Sequence, residues 1–217
     1  MRNTTISTLL LLLAVSLPAA YTQAVGRDNG IAVGQFPAAD FCTSTGLSAS
    51  DGTQNRAGAC SSTPQGAVPN VDKMVSTIIT KPKNAETVDA TKEMVVVVDM
   101  RNLETGFFDD PQKDYYMQPQ TLNNGGIIQG HQHVTIQQMG STQRALDATK
   151  FVFFKGLNDQ AKDGRSLSVA VPPGTFKQNG LHRICSMSGT NAHQPPVMPV
   201  AQRGAQDDCI RINVTGA

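Results

Sequence analysis

A chain of 217 residues suits one domain with a tail, and 39% hydrophobic against 16% charged residues argues for a folded core rather than wholesale disorder. Eighteen Lys and Arg face seventeen Asp and Glu, leaving a formal charge of +1. Nucleic acid and anionic membranes both call for a basic surplus, so neither is an expected partner.

Arg2 precedes an unbroken apolar run at residues 9–15, which exits through Ser16, Pro18, Ala19 and Ala20. A positive start, a short apolar stretch and small residues make a secretory signal peptide. A bilayer span needs about 20 apolar residues, more than this run has. Thr22-x-Ala24 fits the small-residue rule best, so residues 1–24 read as the leader. The expected product is secreted, extracellular, without a membrane span, and monomeric. Residues 25–70 are rich in Gly, Ala, Ser, Thr and Asn and read as an irregular N-terminal segment. Four cysteines stand at 42, 60, 185 and 209. In a secreted chain an even count argues for two disulfides. Of three pairings, Cys42–Cys60 with Cys185–Cys209 is favoured, because each pair is near in sequence and the pairs are far apart. No CxxC is present, which argues against a zinc knuckle or a thioredoxin-type site.

From residue 74 the pattern changes to strands. Residues 74–80 are β-branched and end at the Lys81-Pro82-Lys83-Asn84 turn. Residues 94–100 are apolar on both parities, which predicts a strand buried on both sides. Asn123-Asn124-Gly125-Gly126 is a strong turn signal, followed by a long alternating strand at 127–139. Residues 143–149 are the one helical candidate. Further strands are expected at 151–154, 167–171, 181–187 and 210–214. Many short strands with Gly/Pro turns predict an all-β fold, an immunoglobulin-like antiparallel β-sandwich over 71–217, preceded by the disulfide-closed segment 25–70. Asn213-Val214-Thr215, on the last strand, is an N-glycosylation sequon if exposed.

The 127–139 strand carries the site-like feature. Side chains alternate faces, so Ile128, Val134 and Ile136 turn to the core and Gln129, His131, His133, Thr135 and Gln137 line the opposite face. Two His at i and i+2 can share a metal ion, and imidazole suits Zn or Cu. A site needs a third ligand. His193 is the best candidate, with His182 and Asp207-Asp208 behind it. The plainer reading is a solvated polar row on the outer face of a half-exposed strand. A third is a polar ligand-binding face of Gln129, Thr135 and Gln137. Gly125 followed by His131-x-His133 also copies the start of the first cupin motif, but Gln137 and Gln138 stand where that motif wants Glu, and Lys177 where the second wants His. Cupin therefore stays a minor alternative. With no Trp in the chain, a sugar platform would rest on Phe107, Phe108, Tyr115 and Tyr116.

Four blocks resemble a family of small secreted proteins of filamentous fungi, some of which carry a ribosomal-protein label. They are Gly130-His131-Gln132-His133-Val134, Phe154-Lys155-Gly156-Leu157-Asn158-Asp159, His193-Gln194-Pro195 and Asp207-Asp208-Cys209. The leader, the neutral charge and the paired cysteines do not suit an RNA-binding cytosolic protein, so that label is set aside. Leu181 departs from the family, which often has an aromatic there. The resemblance implies an extracellular fungal β-protein and brings no catalytic role. The expected function is a non-catalytic extracellular or cell-surface protein. The alternatives are a Cu or Zn protein or oxidoreductase on His131, His133 and His193, and a carbohydrate-binding module using Tyr115 and Tyr116 on cell-wall polysaccharide.

Overall fold

The computed structural model describes residues 38–217; the expected leader at 1–24 lies outside them. Helix α1 (Ala38–Thr45) is followed by nine strands. These are β1 (Ser76–Lys81), β2 (Thr87–Asp89), β3 (Met94–Arg101), β4 (Leu103–Thr105), β5 (Ile128–Gln138), β6 (Phe153–Leu157), β7 (Ser166–Val171), β8 (Gly180–Thr190) and β9 (Cys209–Thr215). They form two sheets, β1-β3-β7 and β2-β9-β8-β5-β4, with β6 also paired to β5. The architecture is the expected all-β sandwich.

The core follows from alternation. In β9, Ile210, Ile212 and Val214 are buried while Arg211, Asn213 and Thr215 are exposed. Val96 and Val98 of β3 meet Val134, Ile136, Ile184 and Ile212 of the larger sheet in one apolar cluster. Each such side chain contributes about 1.5–3 kcal/mol on burial. The prediction that 94–100 is buried on both sides fails. Val95 is 42% exposed and Val97 half-buried, because among the described residues the three-stranded sheet is packed on one face alone. The antiparallel expectation also needs correction at two short strands, since β2–β9 and β4–β5 pair in parallel.

Two local predictions differ. Residues 143–149 hold no helix; Asp147 instead caps a turn, accepting from Thr149 N at 2.9 Å and Thr149 Oγ1 at 2.7 Å. An Asp side chain that satisfies nearby backbone donors competes with helix formation. Conversely, Ala38–Thr45 is helical within the segment expected to be irregular. Among the described residues no barrel forms, which removes the cupin alternative.

Both disulfides are those expected, Cys42–Cys60 and Cys185–Cys209, with sequence separations of 18 and 24. Loops of that size give about 3 kcal/mol each in the chain-entropy account. Cys185 and Cys209 are register partners on β8 and β9. Cys42–Cys60 closes the segment that docks on the 113–120 loop, where Gly52 O accepts from Tyr115 N at 2.9 Å and Gln65 O from Gln120 N at 3.0 Å.

Candidate metal centre

Strand β5 lies between β8 on one edge and β4 and β6 on the other, and this position shapes the site. His131 stands opposite Gly189 of β8, and His133 opposite Met187 of β8 and Gly156 of β6. The pleat puts both rings on one face, as the spacing predicts. The sheet is pinched here: a Cβ on Gly130 would stand 2.0 Å from Gly189 O, so only glycine fits at 130. Past β8 the chain turns back through residues 190–194. Gln194 O accepts from Thr190 N at 2.9 Å, and Thr190 O from His193 N at 3.1 Å. His193 takes a left-handed φ of 75° at the tip of this turn. The 107–117 loop closes over the rings, with Asp109 N bonded to Asn191 O at 2.9 Å and Tyr116 N to Ala192 O at 3.0 Å.

The outer-face reading of the polar row fails at His131, which is fully buried because this loop covers it. His133 and His193 are half-buried. Each ring gives one nitrogen to a backbone carbonyl. His131 Nδ1 lies 3.1 Å from Phe107 O, His133 Nδ1 3.1 Å from Met187 O, and His193 Nε2 2.9 Å from Asp109 O. A carbonyl oxygen only accepts, so each of these nitrogens carries the proton and the other nitrogen of each neutral ring is bare. The three bare nitrogens converge. His131 Nε2 is 3.2 Å from His133 Nε2 and 3.1 Å from His193 Nδ1, and all three lie within 4.8 Å of one another.

Electrostatics favours the neutral form of His131 and His133. Burial, followed by the neighbouring His133 and His193, pushes His131 down to about 3. Burial lowers His133 as well. Three lone pairs facing inward with no shared proton repel one another. A cation between them removes that repulsion, and Zn–N bonds of about 2.0–2.1 Å would put tetrahedral donors about 3.3 Å apart. The carbonyl partners are the outer shell that fixes ring orientation in such sites.

Beside the rings opens a cavity of about 400 Å³, lined by His133 and His193 themselves, Phe108, Tyr115, Tyr116 and Phe154 among others. Phe108 meets His131 and His193 edge-on, both at 5.1 Å between centroids. Tyr115 and Tyr116 stack at 4.2 Å, and Tyr115 lies 5.6 Å from His193. Burial and the Tyr116 hydroxyl push Tyr115 up to about 12, so its hydroxyl stays protonated at neutral pH.

The other candidates lie elsewhere. Gln129 donates to Glu104 at 3.1 Å, and Thr135 to Phe153 O at 3.5 Å. Gln137 donates to Asp147 O and Lys150 O and accepts from Arg183. All three are engaged within the fold, and none lines the cavity. His182 stands apart, its Nδ1 on Gly180 O at 3.0 Å. Asp207 accepts from Ser186 and Ser188, and Asp208 from Ile79 N at 2.9 Å. Sequence reasoning missed Phe154, which is 48% exposed at the cavity wall, and Gly189, which keeps the space beside the rings open.

The chain is 44% identical over 200 residues to "Pathogenicity cluster 5 protein d" of Colletotrichum graminicola. That match covers 91% of this chain and 41% of the relative, so the chain spans about two-fifths of the relative's length. Among solved structures, a β-glucosidase from Listeria innocua in complex with glucose overlaps 65% of this chain and 16% of its own, at 11% identity and a TM-score of 0.33. A CARDB domain from Pyrococcus furiosus overlaps 66% of this chain and 95% of its own, at 9% identity and a TM-score of 0.31. Both overlaps are loose. Residues 77–215, which hold all nine strands apart from Ser76, match the CLU5d N-terminal domain, and the chain belongs to that family.

Proposed function

We propose that this protein is a secreted, extracellular metal-binding β-sandwich that holds one Cu(II) or Zn(II) ion on His131, His133 and His193, with a binding rather than a catalytic role. The observation that carries the reading is the convergence of three bare imidazole nitrogens, each ring oriented by its own carbonyl acceptor. Three imidazoles match the donor preference of both ions, and Cu(II) should bind the more tightly of the two. The leader-like residues 1–24, the two disulfides and kinship with a pathogenicity cluster protein support secretion. Among the described residues no helix is long and apolar enough to cross a membrane. Asn213, exposed on β9, is the expected N-glycan site.

Metal analysis of protein secreted in chelator-free medium tests the reading, followed by calorimetric titration of stripped protein with Cu(II) and Zn(II). One ion per chain, with Cu(II) tighter than Zn(II), is the expected result. Protein that neither retains nor takes up a stoichiometric ion sinks it.

A further inference from the structure

The wall of the cavity beside the three histidines gathers six aromatic rings, those of Phe108, Tyr115, Tyr116 and Phe154 with His133 and His193. Phe108 and Phe154 are 39% and 48% exposed, although both are large apolar groups that folding alone would cover. Tyr115 and Tyr116 form a stacked pair, and Phe154 lies 5.2 Å from His133 at an interplanar angle of 31°. Exposed aromatics gathered around one concave space mark a binding site for an apolar body. A volume of about 400 Å³ holds a small molecule with room to spare.

The side nearest the nitrogens is kept clear by glycine. A Cβ on Gly189 would lie 3.5 Å from His131 Nε2 and 3.6 Å from His133 Cε1. Gly189 itself lines the cavity. An ion held by three protein donors keeps a fourth position for an outside ligand. Two features therefore adjoin: a coordination position that prefers an oxygen or nitrogen donor, and a chamber that prefers flat, apolar surface.

Resting on the metal reading above, we infer that the cavity admits a small planar aromatic bearing an oxygen donor, a carboxylate or phenolate, whose oxygen completes the coordination of the ion while its ring lies among Phe108, Tyr115 and Phe154. The apolar walls supply selectivity, because an aliphatic carboxylate offers the same donor and leaves them unfilled.

The test uses the full secreted chain loaded with Co(II), whose visible spectrum reports coordination, and compares benzoate with acetate as probes. Benzoate should perturb the spectrum at a concentration at least tenfold lower than acetate. Phe154→Ala and Tyr115→Ala should each cut that preference to below threefold while Co(II) affinity stays within twofold. Failure of stripped protein to take up Cu(II), Zn(II) or Co(II) would overturn the metal reading and this inference with it, and protein that binds Cu(II) but not Co(II) is read through the Cu(II) visible band instead. Bound Co(II) that responds equally to both probes, or to neither, overturns the inference alone. A response to cellobiose with none to benzoate overturns it in favour of a sugar.

Discussion

His131 and His182 sit on adjacent strands, both fully buried, both with Nδ1 given to a backbone carbonyl, and both held below the ordinary imidazole range by burial. Around His182 the surroundings are apolar: its Nε2 has no hydrogen-bond partner, and the Phe176 ring meets it edge-on at 5.1 Å. Around His131 the same bare nitrogen faces two more. A buried neutral histidine is thus a packing element in one place and, on the proposed reading, a metal ligand in the other. The distinction lies in what its lone pair meets, since burial and proton affinity are alike in direction at both.

This contrast can be broken by substitution. His131→Ala should weaken Cu(II) binding at least ~100-fold, beyond the loss typical of an outer-shell partner. His182→Ala should leave Cu(II) affinity within about twofold while costing about 2–4 kcal/mol of folding stability from the void it leaves. Titration calorimetry and denaturant unfolding on both variants separate the roles, and equal losses of affinity would erase the distinction.

Acid should act on both sites in the same sense. Between about 6.5, the ordinary imidazole value, and the depressed native values, the unfolded chain takes up protons that the buried rings refuse. Metal-free protein is therefore fully stabilised by these rings above about pH 6.5 and loses that contribution as pH falls toward about 3 for His131. The slope reaches at most about 1.4 kcal/mol per pH unit for each such ring. Unfolding midpoints at pH 6.5 and 4.5 check this, and His131→Ala should flatten the dependence. A midpoint that rises on acidification would contradict it.

Smaller effects sharpen the picture of the site alone. Gly189→Val places methyl groups beside the His131 and His133 rings and should lower Cu(II) affinity about tenfold by crowding the outer ligand position. Gly189→Ala, whose added carbon makes only ordinary contacts, should fold normally and lose less. Asn191→Ala removes the 2.9 Å bond to the Asp109 carboxylate, and with it part of the anchoring of the loop whose carbonyl orients His193. A loss of several-fold in affinity is expected, near the lower end of outer-shell effects.

The sequence carried the local half of this arrangement. A two-residue spacing put His131 and His133 on one face, and the alternation of 210–214 assigned β9. It also made His193 a candidate, but no pattern could show how the ring arrives: the contact spans 62 positions and depends on the turn at 190–194. Covering of His131 by the 107–117 loop was hidden for the same reason, as was the exposure of Phe154. Strands β2 and β4 have three residues each, too few for periodicity to register. The Val95–Val98 run looked two-sided because composition reports apolarity and not how many layers a fold has.

The left-handed backbone at His193 has one more consequence. A non-glycine residue there costs roughly 1–2 kcal/mol, which glycine would not incur. Selection for folding alone would drift this position toward glycine, relaxing the turn and deleting the ring in the same step. An imidazole at such a position trades robustness for the metal site proposed above. Laboratory evolution under heat alone, with no metal supplied, should surrender this residue early.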